Sequence, residues 1–187
     1  MPTSQQTKLY KYNVTAGANM AITQKMQDAL NEHTNQELYS SYLYLSMSSY
    51  CESINLPGFA HWLRIQSQEE YAHGMKIFDF INDRDGRAIL HPIGQPTIEF
   101  ESIQDVMQKT LEHERHVSSL INKLYEVAVT ENDVATQIHL QWFITEQIEE
   151  EKTANDLVEQ LKLISGQGDA LLLLDRELGA RSLDPVE

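Results

Sequence analysis

Residues 57–82 read PGFAHWLRIQSQEEYAHGMKIFDFIN. Steps of three and four residues pick out Phe59, Trp62/Leu63, Gln66, Glu70, His73, Ile77 and Ile81, the stripe of a helix that buries one face. Pro57 suits the first turn of such a helix, and nothing breaks it before about Asn82. Mid-helix, the stripe carries a glutamate and, one turn later, a histidine. A helix this long, with a polar centre on its buried face, needs partners of matching length.

The rest of the chain supplies them. From Thr23 to Cys51 nothing breaks a helix, and its stripe runs Met26, Leu30, His33, Glu37, Ser40, Tyr44, Met47. Leu56-Pro57-Gly58 closes a short connection to the helix quoted above. Ser102-Ile-Gln-Asp105 reads as a capping box opening a third helix to about Thr130. Its stripe is Ile103, Met107, Thr110, Glu114, Val117, Ile121, Leu124. Thr130-Glu-Asn-Asp133 reads as another box, opening a fourth helix that ends near Ser165-Gly166, with the stripe Leu140, Phe143, Gln147, Glu150, Ala154, Leu157, Leu161, Ile164. A short fifth helix follows, Asp169 to Leu178, stopped by Gly179. Between the second and third helices, Arg84 to Glu101 contains Gly86, Pro92, Gly94 and Pro96, a long helix-free connection. The expected fold is all-α: four antiparallel-paired helices, each roughly 40 Å long, with one long crossover and a short C-terminal helix.

At 187 residues, the chain suits one domain with a sizeable core. The expected division is an N-terminal arm, residues 1–20, followed by a domain over 21–187. Met1 to Asn19 is polar, with Lys8 and Lys11 and no apolar segment, so it does not read as a secretory signal. Met20 is a candidate natural start. No apolar run approaches the roughly 20 residues of a membrane span. Cys51 stands alone, which excludes an internal disulfide framework and a cysteine-ligated iron–sulfur site. A reducing, cytoplasmic setting is expected. The net charge of −14 disfavours nucleic acid and anionic membranes and favours cations as partners.

Every stripe is interrupted mid-helix by glutamate: Glu37, Glu70, Glu114 and Glu150, with His73 one turn beyond Glu70. One glutamate on a core stripe has bland explanations, such as a tilted helix end. Glutamates at similar heights in all four helices do not. Burying an uncompensated carboxylate costs several kcal/mol even after relaxation, and no Lys or Arg lies on these stripes beside them. The resolutions are a shared proton, a water-filled core or bound cations. Four carboxylates and one imidazole would balance two divalent metals, and an O/N donor set suits iron or manganese. Glu70 and His73, spaced i,i+3, can converge on one ion.

These residues also resemble a known family. Glu37-Leu-Tyr-Ser-Ser, Gln68-Glu-Glu-Tyr-Ala-His73, Glu112-His-Glu114 and Thr145-Glu-Gln-Ile-Glu-Glu-Glu-Lys152 look like the motif blocks of bacterial-type, non-haem ferritins, from about Ala21 to Leu183. The resemblance implies a ferritin-like bundle in which Glu37 and His73 ligate one iron, Glu114 and Glu150 the second with Gln147 beside it, and Glu70 bridges. It places Tyr44 close to the iron pair and implies a third iron position built from Glu69, Glu146 and Glu149. Bacterioferritins carry a second Glu-x-x-His where this chain has Gln147 and Glu150, and a haem-ligating methionine where it has Tyr71. No haem is expected. The acidic lining of the animal threefold channel falls here at Gln137 and Leu140, with Glu131 and Asp133 nearby.

The resemblance further implies a homo-oligomer of 24 subunits enclosing a cavity, with the fifth helix around its fourfold axes. Its partners would be Fe²⁺ and O₂ or H₂O₂, and its activity a ferroxidase that loads a mineral store. Two rivals predict different observables. A di-iron oxidase acting on an organic substrate would form a small oligomer with an apolar channel. A metal-free bundle with solvated glutamates would bind no iron.

Overall fold

The computed structural model describes residues 21–183; the arm, with Lys8, Lys11 and Met20, lies outside them. Among the described residues the regular elements are helices α1 (Gln24–Ser53), α2 (Pro57–Asp83), α3 (Ile103–Thr130), α4 (Val134–Leu163) and α5 (Gly168–Leu178). The expected boundaries hold to within a few residues. Thr23 caps α1 by accepting from the Met26 amide, and Ser102 caps α3 by accepting from Asp105 N at 3.1 Å. Asp105 completes that cap from the other side, taking the Glu101 amide at 3.1 Å.

The start of α4 differs from the sequence reading. Thr130 is the last residue of α3, and Asp133 is the N-cap, accepting from Thr136 N at 3.0 Å. Asp133 succeeds there because Arg84, at the end of α2, reaches both of its oxygens at 3.1 Å. The pairing ties the α3–α4 turn to the start of the crossover and holds the Asp133 carboxyl below its ordinary range against the effect of burial.

Two apolar clusters define the packing. One gathers Met47, Phe59, Leu63, Met107 and Leu157 among others. The second gathers Met26, Leu30, Ile77, Ile81, Ile121, Leu124, Leu140 and Phe143. The start of α1 therefore meets the end of α2, and the end of α3 meets the start of α4, so both pairs are antiparallel. The end of α2 and the start of α3 lie in different clusters. The connection between them must run the length of the bundle, as the single long crossover requires. It is pinned to α1 by Asn31, whose amide donates to Arg87 O at 3.2 Å and accepts from Ile89 N at 2.8 Å. Ser46 Oγ donates to Thr97 O at 2.6 Å further along.

Each fully buried Leu, Ile or Phe in these clusters contributes about 1.5–3 kcal/mol of burial. Between the clusters lies a layer that is buried but polar, with Glu37, Gln66, Glu70, His73, Glu114, Gln147 and Glu150. That layer is the unusual part of the core.

Candidate metal centre

Glu37, Glu70 and His73 each offer one ligand atom, and these atoms lie within 4.8 Å of one another. All three side chains are buried. The antiparallel packing of α1 on α2 brings Glu37 opposite the Glu70–His73 turn. His73 Nδ1 is 3.6 Å from Glu70 Oε2, and its ring stands edge-on to Trp142 and Phe143 of α4 at 5.2 and 6.2 Å. Packing thus restricts the imidazole before anything binds it.

The other half of the layer comes from α3 and α4. Tyr44 donates its hydroxyl to Glu114 Oε1. Gln147 Nε2 donates to the other Glu114 oxygen at 2.8 Å and to the Glu114 backbone carbonyl at 3.0 Å. Glu150 Oε2 accepts from Gln66 Nε2 at 2.7 Å. Tyr44, Gln147 and Gln66 therefore hold the carboxylates of Glu114 and Glu150.

The electrostatics match a site built to exchange protons for cations. Burial raises Glu70, Glu114 and Glu150 to about 8. Neighbouring carboxylates add to the rise: Glu37 and Glu150 for Glu70, Glu70 and Glu37 for Glu114, Glu114 and Glu69 for Glu150. Burial opposes the charged form of His73, but Glu70, Glu37 and Glu150 outweigh it and raise the imidazole to about 10. Glu37 alone is lowered, because His33 and His73 overcome its burial. Burial, then Glu114 and Glu70, keep the Tyr44 phenol well above its ordinary range. Without a cation the layer holds protons in place of positive charge.

The remaining acidic residues read from the sequence stand differently. Glu69 is buried and its Oε2 accepts from Arg181 Nη2 at 2.7 Å. Glu146 is half-buried and Glu149 exposed. Glu151 accepts from Ser118 Oγ at 2.5 Å. Arg181 was not signalled by the stripe pattern, because it lies past α5 in a segment with no periodicity. Nor was the role of Gln66 visible, although it sits on the α2 stripe.

This geometry has counterparts among known proteins. Residues 27–164 match the Ferritin family, described as a ferritin-like domain. A bacterial non-heme ferritin of Bacteroides fragilis is 41% identical over 160 residues, covering 86% of this chain and 99% of its own. One from Staphylococcus epidermidis is 39% identical over 163 residues, covering 87% and 98%. An open-pore ferritin of the archaeon Archaeoglobus fulgidus superposes with a TM-score of 0.86 at 47% identity, covering 87% of this chain and 99% of that one. An engineered closed form of the same protein superposes with a TM-score of 0.87, also at 47% identity. The bundle with its single crossover, the glutamate on every stripe and these matches along most of the chain have one common reading: the chain belongs to the ferritin family.

Proposed function

We propose that the buried polar layer of this iron-storage protein is a ferroxidase centre for a pair of irons. The observation that carries the reading is the convergence of Glu37, Glu70 and His73 within 4.8 Å, with all three buried. Glu37 and His73 hold one Fe²⁺, Glu114 and Glu150 the other, and Glu70 bridges them. Gln147 acts through its hydrogen bonds to Glu114, and Tyr44 through its hydroxyl on the same carboxylate. Binding two Fe²⁺ displaces the protons that burial keeps on Glu70, Glu114 and Glu150. Each Fe²⁺ gives up one electron, so the pair supplies the two that reduce O₂, with two protons, to hydrogen peroxide. With hydrogen peroxide as oxidant, the two electrons and two protons yield two waters. Hard carboxylate oxygens favour the Fe³⁺ product over Fe²⁺ and so favour oxidation.

Product leaves for a mineral store enclosed by a 24-subunit shell, in which α5 packs at the fourfold axes. Half-buried Glu146 and exposed Glu149, with Glu69 once it exchanges Arg181 for the ion, form a third, weaker iron position on the way out. The decisive experiment is anaerobic Fe²⁺ titration of purified protein, then O₂ admission, with retained iron counted per particle and particle mass taken by light scattering. Two tightly bound Fe²⁺ per subunit and hundreds of irons retained in a large particle are expected. Iron bound and oxidised by a monomer or dimer that retains none would end the storage assignment while leaving the paired centre intact.

A further inference from the structure

His33 lies one helical turn before Glu37, on the face of α1 that the bundle buries. It is 3% exposed. Its Nε2 is 2.9 Å from Glu37 Oε1, an ion-pair contact in which the ring N–H is not aligned for a hydrogen bond; the second Glu37 oxygen, Oε2, has no hydrogen-bond partner either. Buried nitrogens and carboxylate oxygens left this way are rare, because each forgoes about 1–3 kcal/mol. A 2.9 Å separation without a hydrogen bond is, however, the spacing of two donor atoms on one metal. Adjacent ligands of an octahedral ion with bonds of about 2.1 Å sit about 3 Å apart.

The surroundings agree. Phe143 stands edge-on to His33 at 6.5 Å and to His73 at 6.2 Å, so one phenyl ring restricts both imidazoles. On its other side His33 lines a cavity of about 210 Å³ between α1 and α3, together with Glu32, Gln36, Leu120, Lys123 and Leu124. The Gln36 amide donates to Glu32 at 3.2 Å, which keeps that carboxylate on the cavity wall. Lys123, on the α3 wall, is a like charge that an entering cation must pass.

Resting on the paired-iron reading above, we infer that His33 is a further metal ligand. With Glu37 it holds a divalent cation at the floor of the α1–α3 cavity, beside the position that Glu37 shares with Glu70 and His73. Fe²⁺ reaching the centre from this cavity meets an imidazole first and the bridging carboxylate afterwards. The nitrogen donor makes this outer position more selective for iron, cobalt or zinc than a carboxylate alone would be, since oxygen-only sites suit manganese and magnesium.

The test uses the full-length protein stripped of metal. Crystals soaked anaerobically with Co²⁺ should give an anomalous peak about 2.1 Å from His33 Nε2 and shared with Glu37. In solution, His33→Gln should weaken Zn²⁺ and Co²⁺ binding at the outer position about tenfold and Mn²⁺ binding there distinctly less. If His33 only orients Glu37, all three ions weaken alike, and that result overturns the inference. Under saturating soaks, a Co²⁺ peak at Glu37, Glu70 and His73 with no peak within bonding distance of His33 Nε2 overturns it too. No Co²⁺ at Glu37, Glu70 and His73 under saturating soaks would remove the paired-iron reading itself, and the role of His33 with it.

Discussion

Gln66 and Glu150 face each other across the bundle, the amide nitrogen of the first 2.7 Å from a carboxylate oxygen of the second. The amide cannot turn over, because its oxygen accepts from Arg181 Nη1 at 2.8 Å. Arg181 in turn donates to Glu69 at 2.7 Å and lies 4.8 Å over the ring of Trp62. His61 Nε2 donates to the Arg181 backbone carbonyl at 2.8 Å. A short relay thus runs from the segment after α5 to a proposed ligand of the second iron.

Gln66→Leu keeps the volume of the side chain and removes the donor. Glu150 then lacks its fixed partner and its carboxylate can rotate. Partners of metal ligands are worth roughly 10–100-fold in affinity, so binding of the second Fe²⁺ should weaken by about tenfold while the first is unchanged. Anaerobic calorimetric titration resolves the two steps. Equal affinities in variant and parent would show that Gln66 does not position Glu150.

The pH response of the metal-free protein follows from the three raised carboxyls. Glu70, Glu114 and Glu150 move from an ordinary value of 4.5 up to about 8. Between those values the folded chain binds more protons than the unfolded chain, so stability falls as pH rises. The raised imidazole of His73 acts in the same direction above 6.5. Glu37, being lowered, opposes the trend near and below 4.5, and His113 and His139, whose imidazoles burial lowers to about 4, oppose it between about 4 and 6.5. Thermal unfolding of chelator-treated protein should therefore show a melting temperature that changes little from about pH 5 to 6.5 and declines from about pH 6.5 to about pH 8. Saturating Mn²⁺ should flatten the decline, because the ions replace the protons, and Mn²⁺ affinity should rise over the same range. A melting temperature that climbs with pH in the metal-free protein would contradict buried, protonated carboxyls.

Much of this site was legible in the sequence for a physical reason. A long helix with one buried face must show its stripe, and a glutamate on that stripe has no way to hide. Glu37, Glu70, His73, Glu114 and Glu150 were each visible in that way, and all are buried together. Partners were not visible. Nothing in the periodicity of α2 joins Gln66 to Glu150, and Arg181 follows α5 in a segment without repeat. The fourth helix start is ambiguous in the sequence because Thr130-Glu-Asn-Asp133 offers two capping residues, of which the fold uses Asp133. Local sequence cannot weigh the distant Arg84, whose fork on Asp133 decides between them.

Tyr44→Phe removes one hydroxyl from a fully buried ring and leaves its packing in place. Glu114 keeps the Gln147 amide and loses the phenol. A hydrogen bond to a carboxyl that keeps its proton is worth about 0.5–1.5 kcal/mol, so the metal-free protein should melt slightly lower at neutral pH. The shell should still assemble. Stopped-flow oxidation of the first two Fe²⁺ should slow several-fold, because one oxygen of a second-iron ligand is no longer held. A variant that oxidises iron at the parental rate would confine Tyr44 to packing.

Leu174 and Leu178 bury the apolar face of α5 in the first cluster, and one carboxylate set against one glycine fixes where it docks. Asp175 is buried in α5, and its Oδ1 accepts from the amides of Gly58 at 2.8 Å and Phe59 at 3.0 Å. It therefore caps the first turn of α2, whose own N-cap residue, Leu56, has no side chain able to do so. Gly58 permits the approach: a Cβ there would lie 1.6 Å from the Asp175 backbone oxygen, and backbone cannot swing aside as a side chain can. Asp175→Ala should cost about 1–2 kcal/mol through the lost cap, with α5 still in place. Gly58→Ala should be the more damaging change, because α5 must move bodily to admit one methyl. If α5 builds the fourfold contacts of the shell, Gly58→Ala should shift the particle towards smaller oligomers, while Asp175→Ala lowers the melting temperature of an intact particle. Light scattering and calorimetry on the two variants separate these effects. An intact, full-mass particle from Gly58→Ala would remove α5 from the assembly interface and leave it a brace for the start of α2.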